Sequence, residues 1–531
     1  MATILERHPL MTVLRLFSWQ LIRRLTRVIC VVSAVSVRSS ASQSDVAFPP
    51  DVYAARRARL SQQVGGAPVI VPGAYLIANG GVDKQDPDFW YLIGVESPYA
   101  ILVIGPGGGE GRGGMEGIEG REGIEGRDGR QARREVLFLP TRFQFAGGQF
   151  PMQDERFRRA AWNQPIRRLS PGPEAERATG IGETYPLEEF TARLPEIVGE
   201  ARTVYFTRDG AELYAPPGLE RPKSLREQFE ESVATVLPDR TIADATPLVR
   251  RMRLIKDAHE IAALRRAAQI SAQSFIDVLH GLRPGMNDLE VAGLMEYSWK
   301  RQGSPRAAFT PIVMSGPSAV SLFTLRSENY NSTDRVIQDG DLVFNDYGAA
   351  EYMTYASDVC RTYPASGRFT DEQRKYYEIV LEAQEAALAV IRPGVMMLDV
   401  IKAAAAVYRK HGLEQYEDVD RMGEARVWGL MPSPTHYLTR DAGLTRYSAT
   451  GMGVRDLGHH IGLDATDSRD YSIPLAPGMV FTVEPKIYIP EKGIGIMIED
   501  MILVTATGYE NLSAGAPKTV ADIERVMAQR P

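Results

Sequence analysis

Gly340-Asp341-Leu342-Val343-Phe344-Asn345-Asp346 and Gly478-Met479-Val480-Phe481-Thr482-Val483-Glu484 share one plan: a glycine, a short apolar strand, and a carboxylate six residues on. Each carboxylate is followed by another on what should be the next strand, Asp358 in the first case and Glu499 in the second. Ahead of the two copies stand matching breaks, Arg283-Pro284-Gly285 and Arg392-Pro393-Gly394, each ending a helical stretch. In the first stretch Asp257 and Glu260 have the spacing of a capping box. Ile261, Leu264, Ala268, Ala272, Phe275 and Leu279 then recur at helical period. Thr370 and Gln373 open the second stretch in the same way, and it runs to about Ile391. Matching helices, breaks and strands predict an internal duplication, its halves packed about a pseudo-twofold axis.

A carboxylate at the end of a buried strand is costly unless a cation compensates it. Here there are four, two per half, and the duplication turns them toward one another. Between the two second-half acids and the first half lies Gly458-His459-His460-Ile461-Gly462-Leu463-Asp464, which supplies imidazole nitrogen. Carboxylates with one histidine and no thiolate suit manganese, cobalt or zinc. Five such side chains match a pair of ions roughly 3.5–4 Å apart. On spacing alone, buried ion pairs or ordinary strand-end acids account for the same residues.

Outward from this core, the 531-residue chain is long enough for two domains with extensions. Hydrophobic residues at 44% and charged residues at 24% are globular values. A net charge of -6 gives no basic footprint, which excludes nucleic acid as a partner. Two cysteines, Cys30 and Cys360, exclude a disulfide framework. Arg23, Arg24 and Arg27, an apolar run from Val28 to Val37, and Ser39-Ser40-Ala41-Ser42 follow the order of a secretory signal, with cleavage after Ala41. Residues 1–45 are therefore expected to be a signal peptide or disordered start of a periplasmic or secreted protein, the alternative being a cytoplasmic one. The run is too short to cross a bilayer of roughly 30 Å, and no membrane span is expected in the mature chain. Val69–Val71, Tyr99–Ile104 and Val136–Leu139 are strand candidates. Between the last two lies a Gly/Glu/Arg-rich loop, residues 105–134, in which the hexad EGIEGR occurs twice. It lacks the apolar surface to offset its ordering entropy.

Five segments together resemble the successive motifs of the Xaa-Pro aminopeptidase (aminopeptidase P) and prolidase family, peptidase family M24. They are Asn345–Gly348, Ser357–Pro364, Gly458–Asp464, Pro477–Pro485 and Gly493–Asp500. Asp86-Pro87-Asp88-Phe89-Trp90-Tyr91-Leu92-Ile93-Gly94 is similar to the amino-terminal domain of aminopeptidase P, a domain that methionine aminopeptidases lack. The resemblance implies an α/β (α+β) chain. An amino-terminal α/β domain of creatinase/aminopeptidase P type would occupy residues 46–247, a pita-bread catalytic domain 248–520, and a C-terminal tail 521–531. It implies two divalent ions, manganese first and cobalt or zinc as alternatives. Asp346 would bind one ion, Asp358 and Glu499 would bridge both, and His459 and Glu484 would complete the second. The family spacing of three residues from ligand to glycine selects His459 over His460. The implied reaction is attack of a metal-acidified water on the bond before proline in a peptide with proline at its second position, Glu484 passing the proton to the leaving nitrogen. A homodimer or homotetramer is implied as well.

The chain also departs from the family pattern. Thr466 stands where a second histidine is usual, Arg455 where another precedes the ligand, and Phe323 near the place of a third. Met497 replaces an arginine two residues before the last glutamate. Asp346 and Asp358 are 12 positions apart where the family commonly has 11, an extra residue that a hairpin at Gly348–Glu351 is expected to absorb. One lost donor of this kind typically costs ~3–4 kcal/mol of transition-state stabilisation. The expectation is an Xaa-Pro aminopeptidase with an altered substrate shell; an Xaa-Pro dipeptidase and a non-catalytic peptide-binding relative are the alternatives.

Overall fold

Residues Val69–Pro72 (β1), Ile101–Ile104 (β2), Glu135–Leu139 (β3), Glu183–Pro186 (β4), Thr203–Phe206 (β5) and Thr241–Asp244 (β6) form a six-stranded sheet in the order β4-β3-β2-β1-β5-β6. The β1–β2 and β2–β3 pairs are antiparallel and the outer pairs parallel. The continuous apolar runs follow from burial on both faces. Val69, Val71, Leu102, Ile104, Leu137 and Leu139 face one core, while Ile70, Ile101, Val103, Val136 and Phe138 face another with Phe190 and Leu194. The structure, a computed structural model, describes residues 48–74, 84–106, 133–145, 148–151, 169–208, 218–320, 333–413 and 457–530, apart from 469 and 472. The signal-like start, most of the repeat-containing loop, Phe323 and Arg455 lie outside them.

The first of the two cores is shared with the second half of the chain. Helices Pro50–Gln63 (α1) and Pro87–Ile93 (α2) reach across to Thr246–Arg253 (α3) and Ala258–Gly281 (α4). The attachment is ionic as well as apolar. Arg253 on α3 bonds Asp88 of α2 at 2.7 Å and Asp467 at 2.6 Å, and Arg56 of α1 bonds Asp257 at 2.7 Å. Burial alone would raise the Asp467 carboxyl, but the charges of Arg253 and Lys256 hold it below its usual range. Helix α3 runs across residues 247 and 248, where the domain border is expected.

The duplication shows in the elements that follow. Helices α4 and Asp288–Arg301 (α5) flank the first Arg-Pro-Gly, and Asp371–Val390 (α6) and Met397–Lys410 (α7) flank the second. Asp257 and Thr370 cap α4 and α6, each with a complete capping box. Gly285 and Gly394 have φ of 94° and 88°, and Gly340 and Gly478 of 90° and 91°. These left-handed turns admit glycine at little cost, which explains the residue at equivalent places in both halves. Strands Val313–Ser315 (β7), Leu342–Asn345 (β8), Glu351–Tyr352 (β9), Tyr355–Ala356 (β10) and Arg361–Pro364 (β11) belong to the first half. Val480–Val483 (β12), Lys486–Ile489 (β13), Ile494–Met497 (β14), Asp500–Val504 (β15) and Tyr509–Asn511 (β16) belong to the second. The equivalent antiparallel pairs are β8–β11 and β12–β15.

Three expectations change in detail. Asp358 and Glu499 sit in the irregular segments before β11 and β15 rather than within strands, because there the two half-domains cross: the Glu499 N–H donates to the Cys360 carbonyl at 3.0 Å. The hairpin between the paired aspartates turns at Met353-Thr354, not at Gly348–Glu351, since Tyr352 pairs with Tyr355. The C-terminal tail is a helix, Val520–Met527 (α8), that buries Val520, Ile523, Val526 and Met527 against the core.

Met353 and Thr354 both have positive φ, 53° and 67°, where side chains other than glycine, asparagine and aspartate are strained. Met353→Asn is expected to raise stability by about 0.5–1 kcal/mol, read as a higher urea midpoint with unchanged slope.

Candidate metal centre

The strand-end acids Asp346 and Glu484 follow β8 and β12, and Asp358 and Glu499 come from the irregular segments where the two halves cross. Ligand atoms of Asp358, His459 and Glu499 all lie within 4.8 Å of one another. His459 Nε2 is 3.3 Å from Asp358 Oδ2 and 3.7 Å from Glu484 Oε1. Asp346 joins the group as a neighbour of Glu499, with the charges of Asp358 and Glu484 acting on its carboxyl. All five residues singled out in the sequence are thus neighbours in space.

Local backbone chemistry aims the imidazole. Residues 459 and 482 exchange bonds: the His459 N–H donates to Thr482 Oγ1 at 3.1 Å, and the Thr482 N–H to the His459 carbonyl at 2.8 Å. Gly458 makes the approach possible, since a β-carbon there would fall 1.7 Å from the Thr482 carbonyl oxygen. His459 Nδ1 lies 3.3 Å from the His460 carbonyl; with the proton on that nitrogen, Nε2 keeps its lone pair for the acids. His460 turns the other way, buried and stacked on Tyr471 at 6.0 Å between centroids.

Asp358, Glu484 and Glu499 are buried, and the group is short of positive charge. Burial first, then the charges of Asp358 and Glu484, push the Asp346 carboxyl well above its usual range. Glu499 is pushed up in the same way, and Asp358 is raised by burial against the pull of His459. Asp346 Oδ1 and Glu499 Oε2 are buried without a hydrogen-bond partner. Orphaned carboxylate oxygens beside one oriented imidazole are the donor set of a divalent metal centre, so the residues present fit such ions.

Other groups support the centre that the motifs alone did not single out. Arg361, buried, bonds Asp500 at 2.6 Å and also donates to the carbonyls of Glu499 and Ala516. Burial would raise Asp500, but Arg361 and Lys518 outweigh it and hold the carboxyl at about 2. Thr482 Oγ1 donates to Glu484 Oε1 at 3.2 Å and Lys486 Nζ to Glu484 Oε2 at 3.0 Å. The position of Lys486, two residues past a strand-end acid, was the signal available in the sequence. Of the departures, Thr466 is exposed on the loop after His459, next to buried Asp467. Met497 is buried with Cys360, Phe344 and Tyr488.

Comparison with known proteins identifies the two domains. Residues 262–506 match the model of metallopeptidase family M24, and residues 53–205 that of the aminopeptidase P N-terminal domain. The Xaa-Pro aminopeptidase of Escherichia coli is 30% identical over 456 residues, 84% of this chain and 89% of the relative. Mouse Xaa-Pro aminopeptidase 3 is 27% identical over 468 residues, 84% of this chain and 77% of the relative. The structure of zinc-substituted E. coli aminopeptidase P in complex with product superposes with a TM-score of 0.66 at 26% identity, covering 91% of this chain and 98% of that one. With an aminopeptidase P amino-terminal domain followed by an M24 domain, the chain belongs to metallopeptidase family M24, among the Xaa-Pro aminopeptidases.

Proposed function

We propose that the chain is an aminopeptidase that releases the N-terminal residue of peptides with proline second, using two divalent ions, manganese first and cobalt or zinc as alternatives. Asp346, Asp358, His459, Glu484 and Glu499 would hold the ions. The observation that carries this reading is the gathering of Asp358, His459 and Glu499 from two half-domains, with Glu484 and Asp346 against them, around unpartnered carboxylate oxygens.

The chemistry that such a pair supplies when bound is acidification of a water and polarisation of the scissile carbonyl. The protein's own part is positional. Thr482 and Lys486 each bond one oxygen of Glu484 and so orient its carboxylate, with Oε1 turned to His459 and placed to take a proton and return it to the leaving proline nitrogen. The orientation of His459 by the carbonyl of its neighbour keeps the imidazole a ligand rather than a competing base. Thr466 offers a hydroxyl but no positive charge to a substrate, which favours a peptide different from those that the histidine-bearing pattern implies. The order of residues 23–42 supports export, and the family supports a dimer or tetramer. Among the described residues no helix is long and apolar enough to cross a membrane.

The purified chain, stripped by EDTA and reloaded with manganese, cobalt or zinc, is expected to cleave an Xaa-Pro-Xaa tripeptide and to lose that activity again on chelation. An Xaa-Pro dipeptide assayed alongside distinguishes the exopeptidase class. Cleavage of the dipeptide alone contradicts the aminopeptidase reading. Turnover unaffected by EDTA contradicts the metal.

A further inference from the structure

Lys486 opens β13 directly opposite Met497 on β14, and facing residues of an antiparallel pair project to the same side of the sheet. Its ammonium lies 3.0 Å from Glu484 Oε2, while Oε1 of the same carboxylate accepts from Thr482 at 3.2 Å and sits 3.7 Å from His459 Nε2. Lys486 therefore holds the far oxygen and leaves the near one to the centre. Its side chain is only 16% exposed.

We propose that Lys486 is a positioning residue of the metal centre, fixing the Glu484 carboxylate and supplying from β13 the positive charge that Met497 does not supply from β14. The inference rests on the metal-centre reading given under the proposed function. It assigns Lys486 no contact with substrate. The cation acts through Glu484, so its loss should show first in how tightly the centre holds metal and only then in turnover.

Calorimetric titration of the metal-stripped chain with Mn²⁺ tests this, comparing wild type with Lys486→Met, Lys486→Arg and the double variant Lys486→Met/Met497→Arg. Outer partners of this kind change metal affinity by about 10–100-fold. Lys486→Met is expected to bind at least one ion that much more weakly, Lys486→Arg within a few-fold of wild type, and the double variant to recover most of the loss. Matching melting curves of the metal-free forms establish that each variant is folded. Should Lys486→Met not fold, Lys486→Gln, which keeps the stem and a donor without the charge, carries the same comparison. Affinity unchanged or tightened in the uncharged variant overturns the inference, as does an arginine variant as weak as the methionine one. A wild-type chain that takes up no metal sinks the metal centre itself, an outcome distinct from either.

Discussion

Asp358→Ala should lower kcat/KM for an Xaa-Pro peptide by about 10³–10⁴-fold, the equivalent of losing some 4–6 kcal/mol of metal-dependent stabilisation. Its carboxylate is closer to His459 than that of Glu484 and is one of the five proposed to hold the ions, so metal uptake at saturation should fall from two ions per chain to one or none. Folding should survive. In the metal-free chain Asp358 is buried beside Asp346, Glu484 and Glu499, and its charge is among the causes that push Asp346 and Glu499 up. Removing it relieves that repulsion. Metal-free Asp358→Ala is therefore expected to melt no lower than metal-free wild type, while gaining less from added Mn²⁺. Such a pattern, activity lost while apo stability is kept, separates a ligand from a structural acid.

Arg361→Met should act in the opposite way, through stability. Arg361 and Asp500 are both buried and form the 2.6 Å ion pair that ties the first half of the duplication to the second. Truncating the guanidinium leaves Asp500 with Lys518, Asn511 and Ser513 as partners but without its closest charge. Breaking a buried pair on one side costs about 3–5 kcal/mol, which should appear as a lower urea midpoint. The Glu499 and Ala516 carbonyls lose a donor at the same time. Because Glu499 is a member of the centre, metal affinity is expected to fall with stability, whereas Asp358→Ala uncouples the two.

Much of this architecture could be read from residues that have few alternatives. The capping boxes of α4 and α6 require an oxygen acceptor at the cap and Glu or Gln three residues on, and Asp257/Glu260 and Thr370/Gln373 satisfy them. Gly340 and Gly478 mark left-handed turns that other residues adopt only with strain, so the repeat is visible at single positions. The acids at the ends of β8 and β12 were legible for a related reason, since an apolar strand rarely ends in a buried charge without a use for it. What was not legible depends on partners distant in sequence. Residues 358–361 and 497–500 touch only because the halves cross, so nothing local marks Asp358 and Glu499 as lying outside the strands. The Arg253 network with Asp88, Asp464 and Asp467 joins three separate segments in the same way. The Met353-Thr354 turn was missed because neither residue favours positive φ; the pairing of β9 with β10 imposes it.

The most direct measurement follows bound metal and peptide cleavage in one titration of the metal-stripped chain with Mn²⁺. Activity toward an Xaa-Pro-Xaa peptide should rise with occupancy and level off at two ions per chain. Saturation at a lower stoichiometry, or two ions bound with no cleavage of the peptide, would contradict a dinuclear peptidase built on Asp346, Asp358, His459, Glu484 and Glu499.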